Sequence, residues 1–304
     1  MPIVAITGAT GFVGKATLDV AVQKGLHVRA LTRRDAQPRE RVTWVPGTLD
    51  RAEALEELVS GCDAVIHVAG LTSTPNPGRF EAANVTGTAN MIAAAKSQGI
   101  ERFVFVSSLS AREPDLSAYG ASKAKAERLV EDSGLDWTIV RPPGVYGPGD
   151  KDYLDLFKAA KLGIVPVPPE GKSSLIHVED LARLLVALVP VNPVTRGQTY
   201  EPWDDNAFGY THKELAEMIG EAVGNPRATA VSLPPAVMKL GAQVDGLLRG
   251  GKAKLTQDRV GYMLHDDWVC DLRKAPPLSI WQAVWGGEAG LAMTAQWYKE
   301  QGWL

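Results

Sequence analysis

The sequence contains very little cysteine. The 304 residues include two cysteines, Cys62 and Cys270, and neither lies at metal-ligand spacing from another candidate ligand. We therefore expect ordinary packed thiols in a reducing compartment, which excludes a cysteine-ligated metal and a disulfide framework. His27, His212 and His265 also lack partners at ligand spacing, so no metal site is expected.

Long apolar runs and a large excess of one charge are absent as well. No run reaches the roughly 18 apolar residues of a membrane-spanning helix, and the chain begins with a predicted strand instead of a signal peptide. A net charge of −3 gives no reason to propose nucleic acid or an anionic membrane as a partner. We expect a soluble, cytoplasmic protein that acts on a small-molecule substrate.

The chain is organised around the stretch 3–14, IVAITGATGFVG. Its apolar start predicts a buried strand of a parallel sheet, and a helical pattern follows over residues 15–24. A strand, a glycine-rich turn and a helix in this order direct backbone N–H groups and the helix dipole at one point, which suits a pyrophosphate. We expect Gly8 to form the tight turn, Gly11 to admit the phosphates and Gly14 to let the helix pack on the strand. Dinucleotide binding is favoured over a plain turn.

Strands and helices alternate through the first half of the chain. The sequence predicts strands at 27–32, 42–45, 63–68, 102–107, 137–140 and 175–177, and helices at 51–59, 79–98, 117–133, 179–189 and 212–223. This alternation is typical of an α/β fold with a doubly wound parallel sheet. We predict a dinucleotide-binding Rossmann domain over 1–149, with a return segment near 175–200, and a smaller substrate-binding region over 150–304.

The second predicted strand ends at Arg33 and Arg34. In a nucleotide-binding crossover this position meets the adenosine ribose, where an acidic residue binds the 2′-hydroxyl and an arginine binds a 2′-phosphate. The two arginines favour NADP(H). NAD(H) stays open because Asp35 follows, and two solvated surface arginines are the alternative.

A serine, a tyrosine and a lysine form the candidate catalytic group. Ser108 follows the fifth predicted strand, and Tyr119 and Lys123 lie four residues apart on one face of a predicted helix. A lysine ammonium beside a phenol favours the phenolate, so the tyrosine can exchange a proton with a substrate hydroxyl. A Tyr-x-x-x-Lys pair alone is usually a surface pair; its position after the glycine turn and the serine favours catalysis.

These motifs, in this order, resemble those of extended short-chain dehydrogenases/reductases, a group that includes NAD(P)-dependent sugar epimerases, dihydroflavonol reductases and 3β-hydroxysteroid dehydrogenases. The matching pieces are TGATGFVG at 7–14, HVAG at 67–70, NVTGT at 84–88, VSS at 106–108, YGASK at 119–123, RPPGVYGPGD at 141–150, HVEDLA at 177–182 and WYKEQGWL at 297–304. Such an ordered set is a specific match.

The resemblance implies a role for each matching residue. Tyr119 would be the catalytic acid/base, Lys123 would lower its pKa and hold the nicotinamide ribose, and Ser108 would polarise the substrate oxygen. Asn84 would support the architecture of the site. Besides Tyr119, Lys123 and the two arginines, the implied cofactor contacts are Gly8, Thr10, Gly11, Phe12, Val13, Gly14, Leu49, Val68, Ala69, Gly70, Ser107, Pro142 and Val145.

The sequence also departs from the family pattern. Thr48 stands where the family has an aspartate that reaches the adenine, and the spacing of 11 residues between Ser108 and Tyr119 is shorter than in sugar epimerases. The short spacing is similar to an atypical branch that includes the Rossmann accessory subunit of respiratory complex I.

Three hypotheses follow for the function. The first is an NADP(H)-dependent oxidoreductase that transfers hydride between the nicotinamide and a carbonyl or secondary alcohol. The alternatives are an NAD-dependent nucleotide-sugar epimerase or dehydratase and a non-catalytic NADPH-binding subunit. The expected pocket segments, 71–79 and 150–175, carry no basic cluster for a diphosphate, which favours an uncharged, fairly apolar substrate.

The sequence leaves the quaternary structure open. The helices at 79–98 and 117–133 pair into a four-helix contact in many relatives, so a homodimer is possible, but an apolar face there also suits intramolecular core. At single positions, we expect Asp50 to cap the second helix, and His177 and Asp180 to serve the start of the HVEDLA helix.

Overall fold

The computed structural model describes residues 2–304, apart from the side chain of Lys252. The strands are β1 (Ile3–Thr7), β2 (His27–Thr32), β3 (Val42–Pro46), β4 (Ala64–His67), β5 (Arg102–Val106), β6 (Asp136–Val140), β7 (Gly144–Tyr146), β8 (Ile164–Val167), β9 (Lys172–Ser173), β10 (Leu175–His177), β11 (Gln198–Tyr200), β12 (Tyr210–Thr211), β13 (Thr229–Ser232) and β14 (Asp267–Trp268).

The helices are α1 (Phe12–Gln23), α2 (Ala52–Val59), α3 (Gly78–Phe80), α4 (Gly87–Ser97), α5 (Ala118–Glu131), α6 (Leu154–Lys161), α7 (Val178–Ala187), α8 (His212–Val223), α9 (Pro235–Arg249), α10 (Gln257–Met263) and α11 (Gly287–Glu300). A π-helical turn at Glu81–Thr86 joins α3 to α4, so the helix predicted at 79–98 is interrupted by a widened turn. Within residues 2–304, no helix combines the length and apolar character needed to cross a bilayer.

Seven parallel strands form the central sheet, in the order β11-β6-β5-β4-β1-β2-β3. The strand order reverses at β1 and β4, which pair from Val4 with Ala64 to Thr7 with His67. The crevice beyond the carboxyl ends of such a reversal is where open α/β sheets bind ligands. The predicted doubly wound α/β fold is confirmed.

Apolar side chains cover both faces of the sheet. On one face, Leu18 of α1 packs with Leu181 and Leu185 of α7 against β1 and β4. On the other face, α2, α4 and α5 contribute Leu55, Met91 and their neighbours. Strands covered on both sides read as continuous apolar runs, which is why β1, β4 and β5 were identifiable from the sequence.

The C-terminal elements build a smaller apolar cluster beside the sheet. Helices α6, α8 and α11 pack around Phe157, Ile219 and Tyr298, with two- and three-stranded sheets at the edge of the cluster. Strand β11 pairs with β6, so the chain returns to the main sheet before it leaves again.

Of the expectations about helix starts, the one for Asp50 is wrong and the one for His177 is confirmed, and Asp180 lies in the first turn of α7. The residue before α2 is Arg51, and its side chain makes no capping hydrogen bond. The Asp50 carboxylate does not cap the helix; it accepts a hydrogen bond from the Thr48 hydroxyl. His177 caps α7 by accepting from the Glu179 N–H at 3.3 Å. Asp180 is fully buried, pairs with the Arg183 guanidinium and accepts from backbone N–H groups at 284 and 285. The two backbone N–H groups that Asp180 binds are about a hundred residues away, so no local pattern indicates them.

Candidate active site

The glycine turn after β1 is closely packed against the end of β4. Gly8 has a φ of 74°, and a Cβ placed there would lie 2.8 Å from the Ala69 nitrogen. A Cβ on Gly14 would overlap the Gly8 carbonyl group. The Gly11 N–H donates to the Gly8 carbonyl at 2.9 Å and closes the turn. Side chains at positions 8 and 14 are therefore excluded by contact with backbone, as the motif requires.

The turn leaves a helix N-terminus available to a ligand. Gly11 is the residue before α1, and within residues 2–304 no side chain caps it, so the N–H groups of Phe12, Val13 and Gly14 have no side-chain acceptor. Such a terminus attracts phosphate through its N–H groups and its dipole. The Ser107 hydroxyl, at the end of β5, is buried without a hydrogen-bond partner in the described part of the chain. Both features fit a bound dinucleotide.

The other predicted cofactor contacts follow the ends of neighbouring strands. Because the carboxyl ends of parallel strands meet at one edge of the sheet, the fold brings these segments to the crevice. Thr10 lies after β1, Leu49 after β3, Val68, Ala69 and Gly70 after β4, and Pro142 and Val145 after β6. The Leu109 N–H donates to the Pro142 carbonyl at 2.9 Å, which joins the β5 and β6 segments.

Arg33 and Arg34 follow β2 with exposed side chains. The Thr32 hydroxyl donates to the Arg34 carbonyl at 2.7 Å and accepts from its N–H at 3.2 Å, which fixes the turn. Within residues 2–304 neither guanidinium has a carboxylate partner within ion-pair distance. Two guanidinium groups at the end of this strand can take an additional phosphate.

Tyr119, Ser108 and Lys123 form the candidate catalytic group. Tyr119 lies in the first turn of α5, one helical turn before Lys123, and Ser108 acts to lower the pKa of its phenol. Ser108 is held in turn by Ser110, with 2.8 Å between the two hydroxyl oxygens. The Phe80 ring lies 5.7 Å from the Tyr119 ring, between centroids, so the phenol has one polar and one apolar side.

The pKa of Tyr119 differs from the sequence-based expectation. Burial raises the pKa of Tyr119 to about 12, and the hydrogen bond from Ser108 opposes this in part. The expected lowering by Lys123 is not found, because the Lys123 ammonium points elsewhere: it donates to the Val106 carbonyl at 2.8 Å and lies 4.4 Å from the Phe105 ring centroid. The Tyr119 phenol is therefore protonated near neutral pH.

Lys123 is buried and its pKa is lowered to about 8, because burial disfavours the ammonium. Glu127, one turn further along α5, opposes this shift. Two nitrogens of the Arg141 guanidinium, Nε and Nη2, donate to the two oxygens of the Glu127 carboxylate, and the Nε–Oε1 distance is 2.9 Å. Lys123 therefore keeps enough positive charge at neutral pH to attract a polar ligand.

Asn84 supports the site, as expected. It is buried in the π-helical turn, accepts from the Leu71 N–H at 2.7 Å and donates to the Leu71 carbonyl at 3.0 Å. Its side-chain nitrogen also lies 2.9 Å from the Ser122 hydroxyl of α5. One side chain thus fixes the loop after β4 to the catalytic helix, and π-helical turns are often found at functional sites.

His67 is a residue whose role the sequence did not reveal. Its Nδ1 is 2.7 Å from the Thr7 hydroxyl and its Nε2 is 3.1 Å from the Thr88 hydroxyl. Thr88 donates to the Asn84 carbonyl and Thr7 accepts from the Ala69 N–H, which assigns the proton to Nε2. Burial, with the nearby Lys123 charge, lowers the pKa of His67 to about 3, so the ring is neutral.

Replacing His67 by Asn should lower the free energy of unfolding by about 1–3 kcal/mol near neutral pH, because buried hydroxyl groups lose their partner. The difference should shrink as the pH falls below the ordinary histidine pKa of 6.5, since the wild-type ring cannot gain a proton until about pH 3 whereas the unfolded chain can. By about pH 5.5 the wild type should have lost about 1 kcal/mol of this advantage. Urea denaturation of wild type and His67→Asn, near neutral pH and at about pH 5.5, measures this difference in unfolding free energy.

His27→Asn is the matched control, because His27 is exposed. It should change the unfolding free energy little at either pH. A His67→Asn difference that stays constant or grows in acid would contradict the neutral, fully bonded ring.

A segment near the C-terminus completes the site and was also missed. Asp258 of α10 accepts from the Ala118 N–H at 2.5 Å and from the Tyr119 N–H at 3.4 Å, so it caps the catalytic helix together with Ser117. The Tyr262 ring lies 6.3 Å from that of Tyr119, between centroids. The segment is far from Tyr119 in sequence, which is why no motif signals it.

A glycine turn at a sheet reversal, an open helix N-terminus and an adjacent Ser-Tyr-Lys group define a nucleotide-binding α/β protein. A family model described as NAD(P)H-binding matches residues 8–190, so the chain belongs to that family, within the extended short-chain dehydrogenase/reductase group.

Similar proteins include reductases and epimerases. The ceramide reductase of Caulobacter vibrioides is 37% identical, over 99% of this chain and 96% of the relative. The 4-hydroxy-2-methyl-3-oxo-4-farnesyl-3,4-dihydroquinoline-1-oxide ketoreductase of Stigmatella aurantiaca is 35% identical, over 90% of this chain and 96% of the relative. The structure of UDP-N-acetylglucosamine 4-epimerase from Bacillus cereus matches with a TM-score of 0.73 at 18% identity, over 98% of this chain and 97% of that one. This last likeness shows the fold alone.

Proposed function

We propose that this protein is an NADP(H)-dependent ketoreductase that reduces a carbonyl group on a substrate with a long apolar chain. The observation that carries the proposal is the buried, protonated Tyr119 phenol, which lies one helical turn from Lys123 and whose pKa Ser108 acts to lower. A donor with a pKa of about 12 is suited to delivering a proton to a carbonyl oxygen that becomes an alkoxide.

The roles of the side chains follow from their contacts. When bound, NADPH would supply the hydride. Ser108 orients the carbonyl oxygen and Tyr119 gives it a proton, while Lys123 offers its ammonium to the nicotinamide ribose. The N–H groups at the start of α1 hold the pyrophosphate, and the Ser107 hydroxyl, free of other partners in the described chain, turns to the cofactor.

The substrate class is supported by the relatives and by the surroundings of Tyr119. The two similar reductases are named for ceramide and for a farnesyl-bearing quinoline, both of which carry long hydrocarbon chains. Tyr119 is flanked by the aromatic rings of Phe80 and Tyr262. Such a surface suits an apolar ketone better than a sugar diphosphate, which needs clustered cations.

A series of ketones with increasing chain length tests the proposal, with NADPH oxidation as the readout. We expect kcat/KM to rise with chain length, because each buried methylene contributes about 0.8 kcal/mol, or roughly fourfold. Protein that purifies with NAD bound and interconverts nucleotide sugars would instead establish an epimerase. NADPH binding without turnover of any ketone would indicate a non-catalytic subunit.

Replacing both Arg33 and Arg34 by Ala should weaken NADPH binding by roughly ten- to a hundredfold and leave NADH binding nearly unchanged, because only NADPH carries the 2′-phosphate. Fluorescence titration with both reduced cofactors measures the ratio of the two dissociation constants. Arg128→Ala, which removes an exposed arginine of α5, is the control. Equal losses for both cofactors, or a wild-type preference for NADH, would contradict the assignment.

A further inference from the structure

Helix α9 presents apolar side chains to solvent along its whole length. Its inner side packs Met238 and Ala242 against Val260 of α10. Its outer side exposes a set of larger apolar residues, which we call the α9 stripe: Val237, Leu240, Val244, Leu247 and Leu248. Leu247 and Leu248 are 86% and 80% exposed, close to the limit for a side chain without neighbours.

The stripe is continuous. At about 100° per residue its five members fall within roughly 100° of the helix circumference, and the 15 residues of α9 extend about 22 Å. Single exposed leucines are ordinary, whereas a contiguous apolar face of this kind marks a contact surface.

The sequence segment that carries the stripe has a net charge opposite in sign to that of the whole protein, although Arg249 pairs with Asp245 and Lys254 with Asp155. Residues 226–256 contain five cations against one carboxylate, Asp245, a net charge of +4 in a chain with a net charge of −3. The five are Arg227, Lys239, Arg249, Lys252 and Lys254. An apolar helical face in a locally basic segment is complementary to an anionic lipid surface.

Helix α9 is connected to the candidate active site through α10. Helix α9 packs on α10, and α10 carries both Asp258, which caps the catalytic helix, and Tyr262, which stands beside Tyr119. Helix α9 is therefore separated from Tyr119 by a single helix, α10.

We infer that the α9 stripe docks on the surface of an anionic bilayer, with the helix lying in the interface. That this bilayer is the source of the substrate rests on the proposed function, since a long-chain ketone resides in the membrane. The protein would remain peripheral: the stripe enters the boundary between headgroups and acyl chains while Lys239, on the exposed part of α9, contacts lipid phosphates.

Co-sedimentation of the full chain with vesicles tests the docking. Wild type should bind vesicles of phosphatidylcholine with phosphatidylglycerol, bind phosphatidylcholine alone more weakly, and release as salt is raised. Leu248→Glu should reduce partitioning roughly tenfold or more. Leu278→Glu is the matched control, because Leu278 is also 80% exposed but lies outside α9. Lys239→Glu should weaken binding to the anionic vesicles only.

Reduction of a short, water-soluble ketone without vesicles, on the same proteins, separates this inference from the proposed function. Leu248→Glu should retain that activity. The docking surface would be overturned if active wild type bound neither kind of vesicle. It would also be overturned if the Leu248→Glu variant bound vesicles as well as wild type does. A wild-type dimer that Leu248→Glu converts to monomer would do the same, because a second copy would cover the stripe. Stripe-dependent binding without ketone reduction would support docking and refute the reductase.

Discussion

Tyr119→Phe is expected to lower kcat/KM for ketone reduction by roughly a thousandfold while the dissociation constant for NADPH stays within about twofold. The variant loses the proton donor, and general acid catalysis of this kind contributes about 10²- to 10⁴-fold. The phenylalanine keeps the ring that packs on Phe80, so the fold should be unaffected. Steady-state kinetics and fluorescence titration on one preparation measure both quantities.

Tyr262→Phe is the matched control for this prediction. It removes the same hydroxyl from a ring 6.3 Å away, between centroids, and should cost only a few-fold in activity. If Tyr262→Phe were the inactive variant and Tyr119→Phe the active one, the proton donor would have to be reassigned. Loss of NADPH binding in Tyr119→Phe would show a structural role instead.

Lys123→Met is expected to lower kcat/KM by roughly a hundredfold or more and to increase the free energy of unfolding of the free protein by about 1–3 kcal/mol. The ammonium is buried with one backbone carbonyl as hydrogen-bond acceptor, and its desolvation outweighs that bond, as the lowering of its pKa from 10.5 to about 8 indicates. Methionine fills the same space without a charge.

The gain from Lys123→Met should depend on pH in a defined direction. Below about pH 8 the wild-type lysine is charged when folded and unfolded, so its full desolvation cost is present. As the pH rises from about 8 to 10.5, the folded lysine loses its proton while the unfolded chain keeps it. Wild type therefore gains stability through this window and the difference disappears above it.

Lys125→Met provides the comparison for the lysine prediction. Lys125 is exposed on the same helix and pairs with Glu81 at the surface at 3.0 Å. It should change neither activity nor stability by a large factor. A Lys123→Met protein that is less stable than wild type at neutral pH would contradict this prediction. It would show that the interactions of the ammonium in the folded protein outweigh its desolvation cost.

Sequence reasoning succeeded where the information is local. The apolar strands and the glycine turn each lie within a few residues, and steric rules connect them to backbone geometry. It did not reveal the backbone groups that bind the carboxylates of Asp180 and Asp258, which lie about a hundred residues away or more. It also failed for the pKa of Tyr119, because the direction of the Lys123 side chain and the burial of the phenol depend on packing.

The net charge of the whole chain does not show how charge is distributed along it. The sum over the whole chain is −3 and conceals a basic segment around α9, because acidic residues elsewhere outnumber it. The helical period of the apolar residues in 237–248 was available from the sequence, but whether that face is covered depends on the tertiary structure.

The cap that Asp258 places on α5 also limits how this enzyme can be recombined with its relatives. Exchanging the C-terminal third is an obvious way to transplant substrate selectivity between homologous reductases. Here such a hybrid would remove a carboxylate that holds the first turn of the catalytic helix, with Tyr119 in it. Hybrids in which 118–123 and 257–263 come from different parents should therefore fold but have low activity. The exception is a parent that supplies its own hydrogen-bond acceptor for the α5 N–H groups at position 258.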